Sequence, residues 1–178
     1  RIVDHPEVQA VSFTGSNEVG VRLYEQCARR GAKVTCEMGG KNAVLVLPDA
    51  DLEKAAVAIH GGAFGSTGQR CTATSRVIAH RDIREDLTEA LVASARGIRI
   101  GDPLAEGTQM GPSVDEVQHR QVLDYMEIGK KEAHLVTGGG RPEGMDHGWF
   151  LEPTIFDEVQ PQMRIFQEEV FGPVLSIA

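Results

Sequence analysis

Short apolar runs alternate along the chain with longer stretches whose apolar residues recur at helical spacing, and this alternation sets its organisation. Val8 to Phe13 reads as a buried strand running into the turn Thr14-Gly15-Ser16. Ser16 is then placed to cap a helix from about Asn17 to Arg30, with Val19, Leu23 and Cys27 at helical spacing and Gly31 ending it. The strand Ala32 to Glu37 leads into the turn Met38-Gly39-Gly40-Lys41 and a second apolar strand, Ala43 to Leu47. Asp51 to Phe64 is Ala-rich and helical, and its partner strand is Ser75 to Ala79, reached through a Gly-flanked loop that carries Cys71.

A long amphipathic helix follows, roughly Ile83 to Gly97, before Gly101-Asp102-Pro103 breaks the chain. A further helix is expected from about Ser113 to Lys130 and a strand from Ala133 to Thr137. Gly138 to Pro153, with Gly and Pro flanking Trp149-Phe150-Leu151, reads as a surface hairpin or loop. Strands alternating with helices of this length predict an α/β fold of right-handed βαβ units, with a parallel sheet covered on both faces. The last segment, Val174 to Ala178, reads as an apolar strand cut short, which would leave an unfinished sheet edge. The first residues carry neither an initiator Met nor a signal-peptide core, so the chain reads as a piece of something longer.

Composition narrows the function classes without naming one. A chain of 178 residues, 41% hydrophobic and 25% charged, can bury a sizeable core. A net charge of −8 and an aromatic content of 5% argue against nucleic acid as a partner. No apolar run approaches a membrane span. Cys27, Cys36 and Cys71 cannot all pair and lack Cys-x-x-Cys spacing, and a reducing, cytoplasmic compartment is the simplest reading.

Two residues stand out as candidate chemistry. Cys71 lies in Ser66-Thr67-Gly68-Gln69-Arg70-Cys71-Thr72, where Gly68 permits a tight turn and Arg70 places a positive charge next to a sulfur whose thiolate is the reactive form. A small buried hydrophobe is the usual fate of a free cysteine, and local sequence does not choose between the two. Glu37 ends an apolar strand before Met38-Gly39-Gly40, where α/β proteins commonly deliver catalytic carboxylates; partly desolvated, it could take a proton from water. A solvent-facing strand-end acid is the alternative. One mechanism needs both: a thiolate adds to an aldehyde, the adduct gives up hydride, and the thioester is hydrolysed with the help of a base. Other catalytic motifs (His-Glu-x-x-His, the P-loop, Gly-x-Ser-x-Gly, Gly-x-Gly-x-x-Gly) are absent, and the histidines at 5, 60, 80, 119, 134 and 147 have no metal-ligand spacing.

Several motifs in order resemble those of the aldehyde dehydrogenase superfamily. They are Ser12-Phe13-Thr14-Gly15-Ser16, Glu37-Met38-Gly39-Gly40-Lys41-Asn42, Gly68-Gln69-Arg70-Cys71 and Glu168-Glu169-Val170-Phe171-Gly172-Pro173, with Gly101-Asp102-Pro103, Met110-Gly111-Pro112 and Phe150-Leu151-Glu152-Pro153-Thr154 between them. The resemblance spans essentially the whole chain. It implies a parallel-sheet βαβ catalytic domain over residues 38–178, preceded over 1–37 by the tail end of a Rossmann-like domain for NAD or NADP. It further implies Cys71 as nucleophile and Glu37 as general base, with Met38 a volume-conserving change from the usual Leu.

For the cofactor, the resemblance implies Gly15 and Ser16 near the phosphates, and Met38 and Gly39 beside the nicotinamide end. Glu169 would accept from the nicotinamide ribose, Phe171 would pack on the nicotinamide side, and Gln118 is a looser match to the same ribose. Each has a plainer reading: Phe171 as core, Glu169 as a solvated acid, Ser16 as an N-cap. The family's oxyanion-hole asparagine and adenosine-ribose lysine lie upstream of the stretch matched here, so this chain by itself is expected to bind NAD(P) poorly and to turn over no aldehyde.

Cys71-Thr72-Ala73-Thr74-Ser75-Arg76 looks like the nucleophile segment of 2-oxoglutarate semialdehyde (2,5-dioxopentanoate) dehydrogenases, which implies a carboxylate-bearing semialdehyde as substrate. The family also implies a homo-oligomer, a dimer or tetramer. Two alternatives stand beside this reading: a CoA-acylating aldehyde dehydrogenase, which needs no base and is disfavoured by Glu37, and a non-catalytic scaffold of the same fold.

Overall fold

The computed structural model describes residues 2–178. They fall into two compact units, one ending at Gly40 and one spanning Lys41–Ala178.

The first unit is one βαβ turn. β1 (Ala10–Gly15) and β2 (Lys33–Met38) pair in parallel, with Thr14 opposite Glu37 and Gly15 opposite Met38. β2 therefore runs through Met38, where the sequence pattern predicts the following turn. α1 (Asn17–Arg29) joins the strands; the Ser16 hydroxyl accepts from the Val19 N–H, and Gly31 follows at φ +70°. That backbone conformation suits glycine at a helix end. Gly20 lets α1 lie close on the sheet, since a Cβ there would run into the Met38 side chain. Val34, Cys36 and Met38 are half-buried while Lys33, Thr35 and Glu37 are exposed, the alternation of a strand with one covered face.

The second unit is a five-stranded sheet ordered β3-β4-β7-β6-β5. β3 (Asn42–Val46), β4 (Thr74–Ala79), β7 (Val174–Ile177) and β6 (Thr154–Asp157) are parallel, and β5 (His134–Thr137) pairs antiparallel with β6. The expected parallel sheet is found, with one antiparallel pair at its edge, where the connection from β5 to β6 holds no crossover helix. β7 lies inside the sheet rather than at an edge, and beside it stands β6, a strand that the sequence pattern does not predict.

α2 (Leu52–Phe64) and α3 (Arg84–Arg96) cover one face, burying Ile59, Phe64, Leu87 and Leu91 against Val77, Ile155, Leu175 and Ile177. α4 (Glu116–Glu132) and the single turn α5 (Arg164–Gln167) serve the other, where Val122, Met126 and Ile165 pack with Phe156 and Val174. Adjacent residues Ile155 and Phe156 enter opposite cores, as strand alternation requires. α4 begins at Glu116 because Asp115 is its N-cap, the carboxylate accepting from the Gln118 N–H at 2.8 Å. Residues 138–153 form a loop, with Gly138, Gly139, Gly144 and Gly148 at positive φ.

Candidate active site

Cys71 is exposed, on the loop between α2 and β4. α2 ends at Phe64, and the chain then makes a tight turn over Gly65–Gly68 in which Ser66 (φ 53°) and Thr67 (φ 57°) both take the left-handed conformation. Two consecutive non-glycine residues in that region hold only where the surroundings fix them. The Thr67 hydroxyl donates to the Gly111 carbonyl at 3.0 Å, and the Gln69 carboxamide accepts from the Val114 N–H at 2.9 Å. Both tie this turn to the segment leading into α4. Beyond it the Ala73 N–H donates to the Arg70 carbonyl at 2.9 Å, which closes a turn with Cys71 and Thr72 at its centre.

The Asn42 carboxamide donates from the other side, to the Cys71 carbonyl at 2.6 Å and the Ala73 carbonyl at 3.1 Å. The Arg70 guanidinium, read from sequence as a charge beside the sulfur, reaches the Gly61 carbonyl at 3.5 Å in the last turn of α2. Helix-end carbonyls carry partial negative charge and attract a cation.

The segment Glu168 to Gly172 lies against this loop. A Cβ on Gly68 would overlap the Gly172 carbonyl oxygen, and a Cβ on Gly172 would meet the Val122 side chain of α4. Side chains fix the segment at three points. The Gln118 amide donates to the Phe171 carbonyl at 2.9 Å and the Val170 carbonyl at 3.2 Å. Glu168 accepts from Tyr125 at 2.7 Å and from both ends of the Arg164 guanidinium at 2.8 and 2.9 Å, and these bonds hold its carboxyl at about 2, well below the usual glutamate range. Val170 is buried in the core under α4. Glu169 and Phe171 are half-buried, and Phe171 has φ 54°.

Lys41 sits beside them with its ammonium nitrogen buried and without a hydrogen bond. Burial pulls its pKa down to about 8, the Arg76 guanidinium acting in the same direction and Glu169 and Glu168 opposing. The Arg76 guanidinium donates to the Lys41 carbonyl and, at 3.3 Å, to the Phe166 carbonyl, and it stacks on the Phe166 ring. Sequence reasoning gave no role to Lys41, Asn42 or Arg76. The signals were that Lys41 and Asn42 fall inside the Glu37-to-Asn42 motif and Arg76 at the end of the Cys71-to-Arg76 segment.

Within the first unit, Glu37 is exposed on the sheet face opposite α1, with Thr14 as its cross-strand neighbour. The desolvation expected of it is not supplied by its own unit. Gly15 and Ser16 are exposed at the start of α1, and Gly15 has the Phe13 ring where a Cβ would stand, 2.5 Å away. The Ser16 oxygens accept from the Val19 and Gly20 N–H groups, so its N-cap role is filled, while the two N–H groups ahead of these in the first turn face outward from the helix end. Met38 and Gly39 are half-buried. The second unit thus gathers Cys71, Gln118, Glu169 and Phe171 around the contact of Gly68 with Gly172.

Among the described residues no cluster of His, Cys, Asp and Glu is arranged to hold a metal, and no helix is long and apolar enough to cross a membrane. Of the histidines, His119 is buried, with Nε2 3.2 Å from the Phe150 carbonyl, and burial lowers its pKa.

Known proteins are similar to this chain in sequence and fold. The chain is 44% identical to a 1-pyrroline-5-carboxylate dehydrogenase of Geobacillus kaustophilus, an alignment covering 99% of this chain and 35% of that protein. It is 48% identical to a betaine aldehyde dehydrogenase of Brucella anthropi, covering 99% and 37%. Among solved structures, an NAD-dependent aldehyde dehydrogenase from Sinorhizobium meliloti superposes with a TM-score of 0.96 at 40% identity over 99% of this chain and 35% of that one. A betaine aldehyde dehydrogenase from Staphylococcus aureus in complex with NAD+ superposes with a TM-score of 0.95 at 35% identity, covering 99% and 36%. The chain therefore spans about a third of the length of the relatives it matches. Residues 1–178 match the Aldehyde dehydrogenase family, and with the motif order and the fold in agreement the chain belongs to that family.

Proposed function

We propose that the protein containing this chain oxidises an aldehyde to a carboxylic acid with NAD or NADP as acceptor, Cys71 being the nucleophile and Glu37 the general base. The observation that carries this is the exposed Cys71 on a loop tied down by hydrogen bonds on both sides, directly against the Glu168-to-Gly172 segment.

The Cys71 thiolate adds to the aldehyde carbonyl carbon, giving a thiohemiacetal whose oxyanion the Cys71 N–H stabilises. A nicotinamide bound here would supply the acceptor for the hydride that the adduct gives up, which leaves a thioester on Cys71. Glu37 takes a proton from water as that water attacks the thioester carbonyl, and the carboxylic acid leaves as the Cys71 thiolate is restored. The chain's own groups fit a dinucleotide: the first-turn N–H groups of α1, next to Gly15 and Ser16, suit phosphate. Met38 and Gly39 would lie toward the nicotinamide, Glu169 would accept from the ribose hydroxyls, and Phe171 would pack on the ring. Gln118 serves the same end through its bonds to the Val170 and Phe171 carbonyls.

For substrate we favour a carboxylate-bearing semialdehyde, on the residues that follow Cys71 and on relatives named for pyrroline-5-carboxylate. The protein is expected to act as a cytoplasmic homo-oligomer, dimer or tetramer. In the complete gene product, Cys71→Ala and Glu37→Gln are each expected to abolish steady-state turnover with either cofactor. Wild-type turnover in both variants would overturn the assignment. A panel of semialdehydes, betaine aldehyde and benzaldehyde tests the substrate class, and a preference for benzaldehyde over every carboxylate-bearing aldehyde would refute it.

A further inference from the structure

β3 and β4 are out of step where they begin. Asn42 stands opposite Thr74, but the next residue of β3, Ala43, stands opposite Arg76, so Ser75 is the extra residue of a bulge. The Ser75 hydroxyl donates to the Asn42 carbonyl at 3.1 Å across it. Beyond this point the strands no longer pair, and the Asn42 side chain continues the ladder. One carboxamide nitrogen donates to the Cys71 and Ala73 carbonyls, at 2.6 and 3.1 Å.

Those two carbonyls belong to the turn that presents the thiol. With the Ala73 N–H on the Arg70 carbonyl, Cys71 and Thr72 are the two central residues of a four-residue turn. The peptide between the central residues is the one that rotates when such a turn changes type. Its rotation moves ψ of the first and φ of the second, and a type II turn needs positive φ at the second. Among the described residues the non-glycines at positive φ are Ser66, Thr67, Glu158 and Phe171, so Thr72 is not in that state. The Cys71 carbonyl is the oxygen that would swing away in a flip, and Asn42 holds it.

We infer that Asn42 is a positioning residue for the nucleophile: its carboxamide pins the Cys71 and Ala73 carbonyls and so holds the turn that carries the Cys71 thiol in place against the start of β3. The residue type follows from the geometry. Two carbonyls a turn apart need two N–H groups on one short side chain, which Asn has, Ser halves and Asp lacks. Asn42 is exposed, and hydrogen bonds in that setting add little to folding stability, so its effect falls on orientation. Misplacement of a reacting group by about 1 Å can cost on the order of 100-fold in rate.

The inference rests on Cys71 being the nucleophile, and the experiment separates the two claims. In the complete gene product, Asn42→Asp keeps the shape, removes both donors and sets a carboxylate against two carbonyls; Asn42→Ser keeps one donor. We expect kcat to fall about 10- to 100-fold in Asn42→Asp and less in Asn42→Ser, with the KM for the cofactor within about twofold of wild type. Alkylation of the Cys71 peptide by iodoacetamide, followed by mass spectrometry in the absence of cofactor and normalised to folded protein, should slow in the same order.

Should kcat and alkylation of both variants stay within about twofold of wild type while Cys71→Ala is inactive, Asn42 has no positioning role and the catalytic reading stands. An active Cys71→Ala would instead remove the catalytic reading itself. A parallel rise of cofactor KM and fall of Tm in Asn42→Ser, with unchanged alkylation per folded molecule, would mark a purely structural residue and overturn the inference.

Discussion

The Gln118 side chain reaches the backbone of Phe171, its amide 2.9 Å from the carbonyl oxygen, and so links the first turn of α4 to a residue held at φ 54°. A second bond to the Val170 carbonyl makes the carboxamide a brace for the segment that presents Glu169 and Phe171. Gln118→Leu keeps the bulk and removes the donors, leaving two half-buried carbonyls unpaired at a cost of about 1–3 kcal/mol. Because the loss falls on the segment assigned to the nicotinamide end, the KM for NAD(P) should rise about 10-fold with a smaller change in kcat. Steady-state kinetics at saturating aldehyde checks this, and an unchanged KM would separate Gln118 from the cofactor.

Gly68 carries two demands at once: φ is +66°, and a Cβ would overlap the Gly172 carbonyl oxygen. Gly68→Ala should therefore cost about 3 kcal/mol, backbone strain and overpacking together. Gly144 has φ +74° and nothing within 4 Å of a Cβ, so Gly144→Ala should cost only the strain, about 1 kcal/mol. Chemical denaturation of both variants measures the difference. Equal losses would show that the contact between the two loops is not tight.

Local signals in the sequence were enough where local physics decides. Ser16 before α1 and Gly31 after it were readable because a cap and a left-handed terminator are properties of the residue itself, and both are found. β6 was not readable. Four residues, Thr154–Asp157, show no period, and only pairing with β7 and β5 makes them a strand. The same holds for the central place of β7. In the site, Cys71 could be singled out, since Gly68 and Arg70 flank it. Asn42 could not, because its two acceptors lie 29 and 31 residues along the chain, across a bulge that no local pattern records.

Glu168 links acid stability to the same segment. Its carboxyl is held down by the Arg164 guanidinium first and by the Tyr125 hydroxyl next, so the folded state binds its proton less readily than the unfolded chain. The stabilisation is present above the ordinary value of 4.5 and is lost as pH falls toward about 2. The pair is partly exposed, which discounts the amount. Glu168→Gln should flatten the fall in unfolding free energy between those pH values relative to wild type, measured by urea titration at several pH values. A wild-type curve that runs parallel to the variant's would show that the Arg164 and Tyr125 contacts do not hold in solution.

Lys41 gives a slope of the same sign at the alkaline end, but here the charged form is the one that costs the fold. Burial is the main cause of its low pKa, with Arg76 adding to it, and Glu169 and Glu168 only partly offset them. Between about 8 and the ordinary 10.5 the unfolded chain carries a proton that the folded chain has released, so folding is favoured progressively as pH rises through that window. Below it, a buried ammonium without a hydrogen bond is a cost to the fold. Lys41→Met removes the charge and keeps the length; it should be as stable as wild type or more so at pH 7, and should lose that advantage as pH approaches 10. Other groups that titrate there, Tyr125 among them, are common to both proteins and cancel in the difference. The measurement is the wild-type minus Lys41→Met unfolding free energy from pH 7 to 10. A difference that stays flat would mean that the Lys41 ammonium reaches water.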